Sequence, residues 1–102
     1  MSKRILLVDD HKILRDGLRS LLETQMGNQV VGEAEDGKEA VQLARKLKPE
    51  VVIMDISLPD MNGIEATRKI LKELPAAKVI ALSMYSDKRF VVDMLKAGAS
   101  GY

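Results

Sequence analysis

The sequence predicts an α/β fold in which an open parallel sheet carries helices on both faces. Short apolar runs alternate with helix-length amphipathic segments four times, joined by short connections. The central run, Val51 to Met54, is apolar without alternation, as expected of a strand buried on both sides. Two of the runs end in acids, Asp9 and Asp10 after the first and Asp55 after the third, where the backbone has to turn. A carboxylate at the tip of a buried strand is costly to desolvate, so its presence there calls for a chemical reason.

Taken in order, Ile5 to Val8 is the first strand. From His11 to Thr24 the positions Ile13, Leu14, Leu18, Leu21 and Leu22 fall on one helical face, and Gly27 with Asn28 breaks the helix. Gln29 to Ala34 is a weaker, edge-type strand with Val30 and Val31 at its core. Asp36 followed by Glu39 resembles a capping box; Ala40, Val41, Ala44 and Leu47 carry the second helix until Pro49 stops it. After the central strand, Ser57, Pro59, Asp60, Asn62 and Gly63 form a run of turn residues. Asn62 and Glu65 repeat the capping pattern and open a third helix through Ile64, Thr67, Ile70, Leu71 and Leu74, closed by Pro75. Val79 to Leu82 is the fourth strand, ending at Ser83. Ser86 or Asp87 caps a fourth helix with Phe90, Val91, Met94 and Leu95 on its apolar face and Gly98 behind it. Gly101 and Tyr102 open a fifth strand. Met54, Met84 and Met94 read as core or near-core filler.

At 102 residues, 46% apolar and 30% charged, the chain has the size and composition of one globular domain. Its net charge of +1 comes without a basic stripe, so nothing supports direct nucleic-acid binding. It has no cysteine, which excludes disulfides and thiolate metal sites and agrees with a reducing compartment. The run Ile5 to Val8 is too short for a signal peptide or a membrane span. A cytoplasmic protein with no membrane association is the expectation.

In open parallel sheets ligands sit outside the carboxyl ends of the strands, and here those ends carry Asp9, Asp10, Asp55 and Ser83. Adjacent strands lie about 4.8 Å apart, so acids on the first and third would crowd if those strands pair. Two like charges near 4 Å repel by roughly 4 kcal/mol at an effective dielectric of 20. A divalent cation relieves that repulsion, and an all-oxygen, partly hydrated set suits Mg²⁺. Helix capping needs only one aspartate, so the doubled acid favours a metal over a cap. A carboxylate beside such a metal can attack a phosphoryl donor and form an acyl phosphate, with Ser83 hydrogen-bonding a phosphoryl oxygen. His11, next to the acid pair, reads more simply as a helix-starting residue than as a relay or ligand.

These residues carry a family resemblance. VDD at Val8 to Asp10, MDISLPDMNG at Met54 to Gly63, ALS at Ala81 to Ser83 and KAGASGY at Lys96 to Tyr102 resemble the receiver domain of bacterial two-component response regulators, from end to end of the chain. Asp9 to Leu22 and KAGASGY are similar to the NarL/LuxR-type subfamily. The resemblance implies a flavodoxin-like sheet of order 2-1-3-4-5 and one receiver domain over residues 1–102. It implies Asp55 as phosphoacceptor, Asp9 and Asp10 as Mg²⁺ holders with the backbone carbonyl of Ser57, Ser83 as hydroxyl switch and Tyr102 as aromatic switch. It further implies a sensor histidine kinase as partner, and DNA contact only through a helix-turn-helix output domain outside these residues. On this reading the chain is no enzyme beyond its own phosphorylation and dephosphorylation.

Receivers also carry an invariant lysine just past the position of Tyr102 and then a fifth helix, and neither lies within these residues. The expectation is a fragment, a disordered remainder, or a partner or second copy covering the face that the fifth helix would occupy, with apolar side chains of strands one, three and four uncovered. Two other readings stand beside the switch. A Mg²⁺-dependent aspartyl-phosphate phosphatase of the haloacid dehalogenase type would need a second aspartate two positions after Asp55, where Ser57 stands. A phosphate-independent interaction module would have no use for the set Asp9, Asp10, Asp55 and Ser83. A dinucleotide-binding domain is disfavoured, because the first turn is DDHK and not a glycine-rich loop.

Overall fold

In the computed structural model, residues 3–24, 28–55 and 63–82 are described. They form β1 (Arg4–Val8), α1 (Lys12–Glu23), β2 (Gln29–Ala34), α2 (Gly37–Leu47), β3 (Val51–Asp55), α3 (Gly63–Glu73) and β4 (Lys78–Leu82). All strand pairs are parallel, in the order β2-β1-β3-β4. The expected fourth helix and fifth strand lie outside the described residues.

Side-chain alternation along β1 divides the interior in two. Leu6 and Val8 join Ala34, Ala40, Ala44, Val52, Met54, Ile70 and Val79 in the larger core, between the sheet and the helices α2 and α3. Ile5 and Leu7 face the other way, where Val30 and the α1 residues Leu18 and Leu22 meet them. Both faces of β1 are therefore covered, as a near-continuous apolar strand requires.

Local chemistry ends the elements where the sequence says it should. Asp36 is the N-cap of α2, and its carboxylate accepts from the Glu39 amide at 2.7 Å. Glu39 reaches back to the amide of Glu35 at 2.9 Å, one residue before the partner a capping box prescribes. At the other end Lys48 adopts a left-handed conformation (φ 49°), and the Arg4 guanidinium satisfies the exposed carbonyls of Leu47 and Lys48 at 2.6 and 3.1 Å. In β2 the register with β1 slips, so that Ile5 faces Val30 but Leu6 faces Gly32. A Cβ on Gly32 would stand 2.7 Å from Leu47 Cδ1, so the smallest residue lets α2 lie close on the edge strand. Arg45 of α2 and Glu73 of α3 form a two-pronged ion pair at 2.7 and 2.5 Å.

Two expectations need correction. Of the five apolar residues read on one face of α1, only Leu18 and Leu22 pack on the sheet; Ile13 is 88% exposed and Leu21 64%. The buried side chain in their place is Arg15, at 6% exposure. The uncovered apolar surface also excludes β1, whose Ile5 and Leu7 lie beneath α1. On β3 Val51 and Ile53 are half-buried, and Ile80 of β4 is exposed.

Candidate metal centre

Pairing of β1 with β3 in parallel register, Val8 opposite Met54, brings Asp9 and Asp55 to the same, carboxyl end of the sheet. Met54 is fully buried and anchors the residue before Asp55. Asp9 leaves β1 with its amide still donating to Ala34 O at 3.0 Å. Its carboxylate is nearly buried, accepting the His11 amide at 2.8 Å in an Asx-type turn. Asp10 is more open to water, with its side chain 37% exposed.

His11 occupies the N-cap position of α1 with extended φ and ψ but makes no side-chain cap. Its imidazole turns back instead, placing Nδ1 2.8 Å from Asp9 Oδ1 and 3.0 Å from Asp10 Oδ1. The hydrogen bond to Asp9, then the charges of Asp10 and Asp9, hold its pKa above the ordinary value of 6.5. One ligand atom from each of Asp9, Asp10, His11 and Asp55 lies within 4.8 Å of the others. Three carboxylates and an imidazole at that spacing can hold a metal ion, and the oxygen-rich donor set fits a hard divalent cation. The acids converge as the sequence requires. His11 joins them, although it reads as a plain helix start; the available signal was its adjacency to two aspartates. Ser57, Ser83 and Tyr102 lie outside the described residues.

The response regulator receiver domain model fits residues 5–102 of the chain. The chain belongs to the response regulator receiver family. Receiver-containing relatives include the response regulator GacA of Pseudomonas viridiflava and the transcriptional regulatory protein LiaR of Bacillus subtilis, each 46% identical over 97% of this chain. The match takes in 46% of the former and 47% of the latter, so the receiver spans about half the length of these curated relatives. Among solved structures, a LuxR-family two-component response regulator from Aurantimonas sp. SI85-9A1 superposes with a TM-score of 0.95 at 45% identity, over 100% of this chain and 73% of that one. The receiver domain of Thermotoga maritima CheB gives 0.92 at 38% identity, over 99% and 76%. This receiver is thus a signalling module of two-component type, with relatives that regulate transcription. Among its described residues no helix is long and apolar enough to cross a membrane.

Proposed function

We propose that this receiver is a phosphorylation-controlled switch in which Asp55 accepts a phosphoryl group from a sensor histidine kinase. The supporting observation is the meeting of Asp9, Asp10 and Asp55 within 4.8 Å at the carboxyl edge of the sheet. Asp9, Asp10 and Asp55 would hold Mg²⁺, with the backbone carbonyl of Ser57 as a further ligand. When bound, the ion supplies charge neutralisation for the transferred phosphoryl group. A carboxylate oxygen of Asp55 forms the new P–O bond while the P–N bond to the donor imidazole breaks, and the imidazole leaves with a proton. Ser83 then donates a hydrogen bond to a phosphoryl oxygen, and Tyr102 follows it, altering the surface around the segments 87–97 and 101–102.

Residues 1–102 act on this reading as one cytoplasmic receiver domain, and a helix-turn-helix output domain elsewhere in a longer protein contacts DNA and regulates transcription. The chain is not an enzyme in the turnover sense. Incubation with acetyl phosphate and Mg²⁺ is expected to add one phosphoryl group by intact mass, and Asp55→Asn to abolish the addition. Labelling that survives the substitution removes Asp55 from its role. Many turnovers of a phosphate ester per chain would favour the aspartyl-phosphate phosphatase instead.

A further inference from the structure

Arg15 is a buried cation, with a side chain only 7% exposed, on a helix whose apolar neighbours Ile13 and Leu14 face solvent. Burying a guanidinium is costly unless its donors are met, and two acids on the β2 side meet part of the need. Nη2 reaches Glu35 Oε1 at 3.3 Å, and Nε lies 3.3 Å from Glu33 Oε1, close enough for charge pairing but without a hydrogen bond. The shortest contact goes elsewhere: Nη1 donates to the backbone carbonyl of Asp9 at 2.7 Å. The amide of the same residue is tied to Ala34 O. Both peptide planes flanking the Asp9 Cα are thereby held, one by the sheet and one by Arg15. The Asp9 carboxylate is steadied in turn from α1, its Oδ1 accepting the His11 amide at 2.8 Å.

We propose that Arg15 is the positioning residue of the acidic pocket, its guanidinium fixing the Asp9 backbone so that the Asp9 carboxylate stands where a divalent cation is bound. The inference rests on the reading of Asp9, Asp10 and Asp55 as the cation site. A planar fork serves it because one group must reach a carbonyl and two carboxylates in different directions. Charge alone predicts the opposite effect. Deleting Arg15 takes a positive charge away from Glu35 and from Glu33, which keeps only its 2.8 Å ion pair with Arg19, makes the surroundings more negative and should tighten cation binding. Weaker binding on its removal therefore reports lost positioning.

The test is Mn²⁺ affinity of the folded chain by isothermal titration, with circular dichroism on the same samples. Arg15→Met is expected to raise the Kd about tenfold, the scale seen when groups orienting a metal ligand are removed. Arg15→Lys, which keeps the charge but loses the fork, is expected to raise it about threefold, short of the tenfold of full removal. Ile70→Val, a core change on α3, lowers the melting temperature without touching the pocket and is expected to leave the Kd unchanged. A Kd for Arg15→Met equal to or tighter than that of the unaltered chain overturns the proposal, while Asp9→Asn still abolishes binding. If Arg15→Met does not fold, Arg15→Lys decides by the same criterion. Should Asp9→Asn bind Mn²⁺ as the unaltered chain does, the cation site itself is misassigned and the role of Arg15 falls with it.

Discussion

Neutralising Asp55 should make the cation-free protein more stable. The ligand oxygens of Asp9, Asp10 and Asp55 lie within 4.8 Å of one another. At that separation two unit charges repel by about 3.5 kcal/mol at an effective dielectric of 20 and about 0.9 kcal/mol in bulk water. Asp10 is well solvated and Asp55 half-buried, which puts each pair toward the lower figure. A protonated His11 offsets part of what remains, so the comparison belongs at a pH where the imidazole is neutral. Replacing Asp55 by the near-isosteric asparagine removes two repulsive pairs and is expected to stabilise by about 1–2 kcal/mol. For a domain of this size that is a rise in melting temperature of about 5–10 °C. The assay is thermal unfolding of both proteins in EDTA and along a Mg²⁺ series. The unaltered chain should gain stability with Mg²⁺, by about 2.7 kcal/mol at a hundredfold excess over Kd, and Asp55→Asn should gain much less. If Asp55→Asn melts in EDTA at or below the unaltered chain, the acids are not held together against their mutual repulsion.

The remaining predictions concern His11, α1 and the core. His11 should titrate by NMR above 6.5, since Asp9 and Asp10 both favour its charged form. With the folded pKa raised, its contribution to stability is complete below the unfolded value and is lost as pH rises through the folded one; His11→Gln should flatten that part of the stability–pH curve. A titration at or below 6.5 would show that the imidazole does not engage the acids. Gly17 sits in α1 with nothing within 4 Å of an added Cβ, so Gly17→Ala should stabilise by about 0.5–1 kcal/mol in a denaturant titration. Leu6 is fully buried at the centre of β1, and Leu6→Ala should cost about 2–5 kcal/mol, visible as a lower denaturant midpoint at unchanged slope.

The sheet was legible because its signal is local. Four apolar runs mark four strands, and β2 falls on Gln29–Ala34 as read from the sequence, at the edge of the sheet. Asp36 and Pro49 bracket α2 by chemistry that needs no tertiary information. The convergence of Asp9, Asp10 and Asp55 was legible as well, since it follows from strand ends and from the pairing of β1 with β3. Helix α1 is where periodicity misled. Its apolar stripe is wider than the surface the sheet offers, so Leu18 and Leu22 are packed while Ile13 and Leu21 stay in solvent. The side chain that goes inside is a cation, and its partners Glu33 and Glu35 are far along the chain. A window of helix length sees an arginine and assigns it to water. His11 is the same lesson at short range: backbone pattern placed it at a helix start, and only the turn of the chain brings its ring onto Asp9 and Asp10.

The most direct test of the central claim is diffraction from crystals grown with Mn²⁺, read by its anomalous signal. A single peak is expected at the carboxyl edge of the sheet, within coordination distance of oxygens from Asp9 or Asp10 and from Asp55. A peak elsewhere, or an acid cluster that excludes the ion because lysine or arginine side chains fill it, would contradict the account.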